Sequence, residues 1–166
     1  MRICFVCLGN ICRSPAAEAI VRHRAGAQGL AVQVESAGTG PWHVGDPPHE
    51  GTRSEAARRG IPVDHLGQQF GAADFARFDL VVAMDSGNAA DLRDLAPDAD
   101  ARDKIVRLGE FAPEAASTGV RDVPDPYGQS QEAFTRMFDQ LEPACDGLVQ
   151  ALATGAVGDL PGGGRR

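Results

Sequence analysis

Arg2-Ile3-Cys4-Phe5-Val6-Cys7 runs directly into Leu8-Gly9-Asn10-Ile11-Cys12-Arg13 and then into Ser14-Pro15-Ala16-Ala17. The first six residues form a short apolar run with β-branched and aromatic members, which stops at Gly9-Asn10. That pattern predicts a buried strand followed by a turn. Ser14 and Pro15 supply an N-cap and a first-turn proline, after which Ala16, Ala17, Ile20 and Val21 recur at helical spacing to about Arg24. The chain therefore opens as strand, loop, helix.

Outward from there the alternation continues. Val32 to Ser36 alternates as a second strand, Gly38 to His49 is a long Gly/Pro/His-rich loop, and Gly51 to Arg59 is a helix stopped by Gly60-Ile61-Pro62. Phe78 to Met84 contains the unbroken apolar run Leu80-Val81-Val82-Ala83, as expected of a strand covered on both faces. A helix from about Asn88 to Leu95 and a strand from Lys104 to Leu108 follow. Glu114 to Tyr127 reads as loop and carries Asp122, Asp125 and prolines. Phe134, Phe138, Leu141, Leu148 and Leu152 mark a last helix over Glu132 to Leu152, in which Pro143 predicts a break or kink.

Alternating strands and helices imply βαβ units. The expected fold is an α/β single-domain three-layer sandwich: a parallel sheet of about four strands, helices on both faces, and a phosphate-binding loop after strand 1. Sites in such sheets lie at the carboxyl ends of the strands, where that loop falls. The domain is expected over residues 1–154, with the Gly-rich residues 155–166 as a flexible tail.

The 166 residues, 43% hydrophobic and 23% charged, suit one globular domain with a real core. The formal charge is −7 and Lys104 is the only lysine, which argues against a nucleic-acid surface. No apolar run reaches the ~20 residues that span a bilayer, and the N-terminus enters a strand instead of a signal peptide, so a cytoplasmic protein without membrane partners is expected. The excess of arginine and alanine hints at a GC-rich bacterial genome. Cys4, Cys7 and Cys12 cluster within nine residues, which in a reducing compartment points to thiolate or metal chemistry before structural disulfides. His43 and His49 lack partners at metal-ligand spacing, so no metal is assigned, and no cofactor. Cys4 on its strand and Cys145 on the last helix read as core.

The loop carries the chemistry. Cys-x5-Arg alone is a weak signal, but here it starts where a strand ends, contains a glycine, and closes at a helix start. Inward-turned amides from Leu8, Gly9, Asn10, Ile11, Cys12, Arg13 and Ser14, together with that helix N-terminus, make an anion cradle. Arg13 would clamp two phosphate oxygens with its planar fork. The same field favours a thiolate, which makes Cys7 the nucleophile. Asp85, just past a strand, is placed to orient Arg13.

Phe5-Val6-Cys7-Leu8-Gly9-Asn10-Ile11-Cys12-Arg13-Ser14-Pro15 resembles the phosphate loop of the low-molecular-weight protein tyrosine phosphatases. The likeness continues through Ser36-Ala37-Gly38-Thr39, Gly60-Ile61-Pro62, Ala83-Met84-Asp85, Asn88 and Asp125-Pro126-Tyr127, covering roughly residues 2–152. The resemblance implies hydrolysis of phosphotyrosine and small aryl phosphates through a cysteinyl-phosphate on Cys7. Arg13 would stabilise the transferring group, and Asp125 would act first as general acid and then as base for water. It further implies that Asn10, Ser14, Ser36 and His65 support the loop, that Ile11, Trp42 and Tyr127 wall the substrate slot, and that Cys7 and Cys12 can close a disulfide on oxidation. Ile11 stands where related protein-arginine phosphatases carry threonine, which favours phosphotyrosine.

The implied partners are phosphotyrosine proteins, with a tyrosine kinase as a further candidate, and inorganic phosphate as product and inhibitor; a monomer is expected. The sequence departs from many relatives in having Gly128, not a second tyrosine, after Tyr127. An arsenate reductase of the same fold is the alternative. It needs relay cysteines in a later segment, and none lies between Cys12 and Cys145. A non-enzymatic anion-binding or redox-sensing module is the rival from another class; the joint presence of Cys7, Arg13, Ser14 and Asp125 argues against it.

Overall fold

The computed structural model describes residues 1–159. Its elements run β1 (Arg2–Cys7), α1 (Arg13–Ala27), β2 (Gln33–Gly38), α2 (Glu50–Arg58), β3 (Leu80–Ala83), α3 (Ser86–Leu95), α4 (Ala99–Asp103), β4 (Ile105–Arg107), α5 (Ala115–Thr118) and α6 (Gln131–Thr154). The four strands form one sheet in the order β2-β1-β3-β4, with every neighbouring pair parallel. β1 lies between β2 and β3, and packed layers cover both its faces. Ile3, Phe5 and Cys7 face a core shared with α1 and α6, while Cys4 and Val6 face a second core built from Phe70, Phe75, Phe78, Ala89 and Leu92. This explains why β1 is apolar from Ile3 to Cys7 instead of alternating. Single-domain α/β architecture, parallel sheet and three layers match the expectation from sequence.

Four details differ from that expectation. α1 begins at Arg13, with Cys12 in the N-cap position and no side-chain cap. Ser14 is therefore not the N-cap; its hydroxyl turns to Cys7 instead. α6 runs without interruption through Pro143. Pro143 is exposed, as is Asp139 one turn earlier, so water can serve the carbonyl that a proline cannot reach. The stretch read as loop from Glu114 contains the single turn α5, ended by Gly119 at φ +83°. Finally, a 3-10 turn, Ala156–Asp159, follows α6 and buries Val157 in the main core, so the ordered body extends past residue 154. The rest of the expected flexible tail, residues 160–166, lies outside the described residues.

Candidate active site

Cys7 is the last residue of β1, at the carboxyl edge of the sheet, and the loop to α1 curls back over it. Asn10 carries the only positive φ outside glycine among the described residues, +58°. Asparagine tolerates this left-handed conformation better than most side chains. The carbonyl side of the loop is tied to the body: Thr39 N donates to Cys7 O at 2.9 Å, Gly40 N to Leu8 O at 2.9 Å, His49 N to Ile11 O at 2.8 Å and Thr52 Oγ1 to Cys12 O at 3.2 Å. Gly38 permits this packing, since a Cβ there would lie 2.8 Å from the Leu8 carbonyl oxygen. With its carbonyls engaged outward, the loop presents Cys7 through Arg13 to one cleft.

Below the loop lies a buried polar network. Cys7 Sγ receives the Asn10 N–H at 3.2 Å and stands 3.0 Å from Ser14 Oγ. Asn10 Nδ2 donates to Ser14 Oγ at 2.8 Å and to Ser36 Oγ at 3.1 Å. Ser14 accepts from Asn10, and its hydroxyl has two neighbours for its own proton, the Cys7 sulfur at 3.0 Å and the Ala37 carbonyl at 3.4 Å. Asn10 Oδ1 accepts from Gln68 N and from His65 Nε2, both at 2.9 Å. Ser14 is wholly buried and lies beneath the cleft, so its side chain is a support and not part of the lining.

The network has a member that the sequence reading missed. Glu18, on the buried face of α1, accepts from the Ser36 hydroxyl, lies 3.1 Å from His65 Nδ1 and pairs with Arg22. Burial works to raise its pKa, but hydrogen bonds from His65 and Ser36 and the charge of Arg22 win, leaving it below the ordinary carboxylate range. Its signal was an acidic residue inside the small, apolar run Ala16 to Val21, where solvent cannot serve it.

Arg13 is held from three sides. Its Nη1 donates to Asp85 Oδ2 at 2.5 Å and to the Val123 carbonyl at 3.0 Å, and its Nη2 is 3.7 Å from Asp125 Oδ2. Burial opposes its charge, yet Cys7, Asp85 and Asp125 together raise its pKa. Asp85 is also the N-cap of α3, accepting from Asn88 N with its other oxygen at 2.6 Å. Cys12 behaves differently from Cys7's surroundings of donors: burial first, then the charges of Asp125 and Cys7, push its thiol up to about 12. Cys12 is thus a thiol at any physiological pH.

The rim is open. Trp42 is 66% exposed and Tyr127 59%, and they flank the cleft with Ile11 and Asp125. The Trp42 ring packs against Gly40, where a Cβ would come within 1.8 Å of it. His43, not singled out for this role from sequence, also lines the cleft and is fixed by Asp46 at 3.1 Å. The cleft measures about 190 Å³, below the ~300–1,000 Å³ of drug-sized pockets. It suits one side chain bearing an anion at the floor. Every catalytic and wall residue expected from sequence meets here, while Ser36 and His65 stand behind the loop and Asp85 behind Arg13.

A parallel α/β sheet whose first loop sets a cysteine and a buried arginine in one cleft, next to a helix N-terminus, is an architecture suited to holding an anion. The match to known proteins narrows it. Residues 2–157 match the family model for low molecular weight phosphotyrosine protein phosphatase. A low molecular weight protein-tyrosine-phosphatase of Streptomyces coelicolor is 43% identical over 153 residues, covering 91% of this chain and 93% of that one. The crystal structure of a protein tyrosine phosphatase from Entamoeba histolytica, with Hepes in the active site, superposes with a TM-score of 0.87 at 36% identity, covering 94% of this chain and 99% of its own. A mutant of the arginine phosphatase YwlE with a phosphorylated active-site serine is more distant, at 28% identity and a TM-score of 0.82 over 92% of this chain and 96% of its own. The chain belongs to the low molecular weight phosphotyrosine protein phosphatase family.

Proposed function

We propose that this protein is a protein tyrosine phosphatase that hydrolyses phosphotyrosine by way of a cysteinyl-phosphate. The observation that carries the reading is the convergence at one cleft floor of Cys7 Sγ, which accepts from Asn10 N at 3.2 Å and has Ser14 Oγ beneath it at 3.0 Å, and the buried Arg13 that also faces Asp125. Cys7 Sγ attacks phosphorus in line as the P–O bond to the tyrosine oxygen breaks, and Asp125 gives that oxygen its proton. Water then attacks the thiophosphate ester, losing a proton to Asp125, and inorganic phosphate leaves with Cys7 restored. Arg13 and the loop amides bind the equatorial oxygens in both steps, where their fixed charge acts most strongly on the transition state.

Trp42 and Tyr127 give the phenyl ring apolar faces, and the depth of the loop selects a long phosphorylated side chain over phosphoserine. An arsenate reductase is not supported, because Cys145 is buried in α6 and no other cysteine follows Cys12. Turnover of phosphotyrosine, phosphoserine and phosphoarginine peptides tests the reading. Phosphotyrosine should lead by a wide margin, and comparable turnover of phosphoarginine would overturn it. Inorganic phosphate should compete with substrate for the same loop.

Cys12 supports a second property of the same loop. If peroxide converts Cys7 to a sulfenic acid, attack by the Cys12 sulfur forms a disulfide and releases water, which protects Cys7 from over-oxidation. Peroxide inactivation should then be reversed by thiol in the wild type and irreversible in Cys12→Ser.

A further inference from the structure

Residues 119–126 have no regular secondary structure, and the acid Asp125 lies among them. Its place above Cys7 must therefore be set by individual ties. Most of them hold backbone: Val123 N donates to Met84 O at 2.9 Å, Gln140 Nε2 to Asp122 O at 2.7 Å, and Gln129 Nε2 to Asp125 O at 3.0 Å. Two side chains of the segment also make ties: Asp125 Oδ1 accepts from Tyr127 N at 3.1 Å, within its own turn, with Oδ2 3.7 Å from Arg13 Nη2, whereas Asp122 reaches a different element. Asp122 uses both carboxylate oxygens on the start of α3: Oδ1 accepts from Ser86 N at 3.0 Å and Oδ2 from Ser86 Oγ at 2.8 Å, with Arg107 Nη1 at 3.3 Å from Oδ1.

Ser86 follows Asp85, and this adjacency gives the contact its meaning. The first turn of α3 holds Arg13 through Asp85 and holds the acid-bearing segment through Asp122. Arg13 closes the circuit by donating to the carbonyl of Val123, the residue after Asp122 and two before Asp125. The phosphate clamp and the proton donor are thus referenced to one helix end. A carboxylate at a helix N-terminus is favoured by the unpaired amides and the helix dipole. Asp122 itself does not line the cleft.

We propose that Asp122 is a positioning residue for proton transfer, which sets the reach of Asp125 toward the leaving oxygen without touching substrate. The inference rests on the assignment of Asp125 as general acid. Misplacement by ~1 Å can cost ~10²-fold in a reacting geometry. The loss should appear only where the proton matters. A plain stability tether would instead weaken all substrates alike.

The test is a series of aryl phosphates whose phenols span high to low acidity, measured with the wild type, Asp122→Ala, Asp122→Asn, Asp125→Ala and the double variant Asp122→Ala/Asp125→Ala. Asp122→Ala should lose ~10-fold or more in kcat/KM on phosphotyrosine yet stay within about twofold in kcat/KM on the most activated aryl phosphate, because kcat/KM ends at phosphoryl transfer to Cys7 and leaves out the later step in which Asp125 serves as base; the Ki of inorganic phosphate should not move. Asp122→Asn, which keeps one acceptor for the Ser86 amide, should recover part of the loss. The double variant should be no slower than Asp125→Ala alone, because the second residue acts only through the first. Ser86→Ala, which removes one tie and keeps the amide, should show a smaller steepening in the same direction should Asp122→Ala fold poorly. Equal losses across the series, or additive losses in the double variant, would overturn the proposal. If Asp125→Ala itself leaves the leaving-group dependence unchanged, the acid assignment falls and this inference with it; a steep Asp125→Ala beside a flat Asp122→Ala rejects the inference alone.

Discussion

The floor and the rim of the cleft are built on opposite terms. On the floor, Cys7, Asn10, Ser14, Ser36, His65 and Glu18 form a chain of hydrogen bonds sealed from solvent, and Arg13 has a side-chain exposure of 4%. On the rim, Trp42 and Tyr127 are mostly exposed, and the Asp125 side chain is 45% exposed. Charge that develops on phosphorus oxygens is fixed in position and needs donors that do not reorganise. The aromatic ring and its surrounding polypeptide vary from substrate to substrate, and open side chains can accommodate that variation.

The largest break in this comparison comes from the floor. Cys7→Ser and Arg13→Ala should each lose ~10³-fold or more in p-nitrophenyl phosphate turnover, read as kcat. Substantial activity in Cys7→Ser would remove the sulfur from the mechanism. Asn10→Ala deletes four hydrogen bonds and leaves alanine at a positive φ. It should cost ~10²-fold in kcat/KM and lower Tm, whereas a wild-type rate would show that the buried network supports only the fold.

The next effect concerns the joint between rim and body. The rim segment leads into α2, whose Glu55 binds Arg58, Arg59 and Thr135, and Arg59 continues to Asp139 and Glu142 of α6. Hydrogen bonds from Arg58 outweigh burial and lower the Glu55 carboxyl to about 2 from an ordinary 4.5. A depressed carboxylate stabilises the fold above its unfolded pKa and loses that contribution as pH falls toward the folded one. About 2–3 kcal/mol should therefore disappear between roughly pH 4.5 and 2, and Glu55→Gln should flatten this part of the stability profile in urea titrations. An unchanged profile would contradict the assignment.

The smallest effect belongs to the rim itself. Trp42→Ala removes one stacking face worth ~0.5–1.5 kcal/mol, so KM for phosphotyrosine should rise ~2–10-fold with kcat nearly constant. A matched fall in kcat would place Trp42 with the floor.

How far this was legible in the sequence depends on distance along the chain. Cys7 to Pro15 states strand, cradle and helix in consecutive residues, and the strand-end rule was enough to put Asp85 beside Arg13. Glu18 was missed because its partners lie 18 and 47 residues further on, and only the folded chain brings them under the loop. Ser-Pro has the local preference of an N-cap, but in the fold the Ser14 hydroxyl lies among Cys7 Sγ, Asn10 Nδ2 and the Ala37 carbonyl instead. α4 and α5, at five and four residues, are too short for periodicity to register. The tie from Asp122 to Ser86 joins a loop to a helix start 36 residues away, and nothing in either stretch announces the other.

The central claim is that phosphorus passes through a covalent bond to the sulfur on the cleft floor. Rapid acid quenching of Asp125→Ala during turnover of an activated aryl phosphate, followed by mass spectrometry of the digested protein, tests it directly. Asp125→Ala slows hydrolysis by removing the base for water while an activated leaving group still permits attack, so the intermediate should accumulate. The account predicts one phosphoryl group on the peptide carrying Cys7, absent from Cys7→Ser/Asp125→Ala. An unmodified Cys7 during sustained turnover, or a phosphoryl group on any other residue, would contradict it.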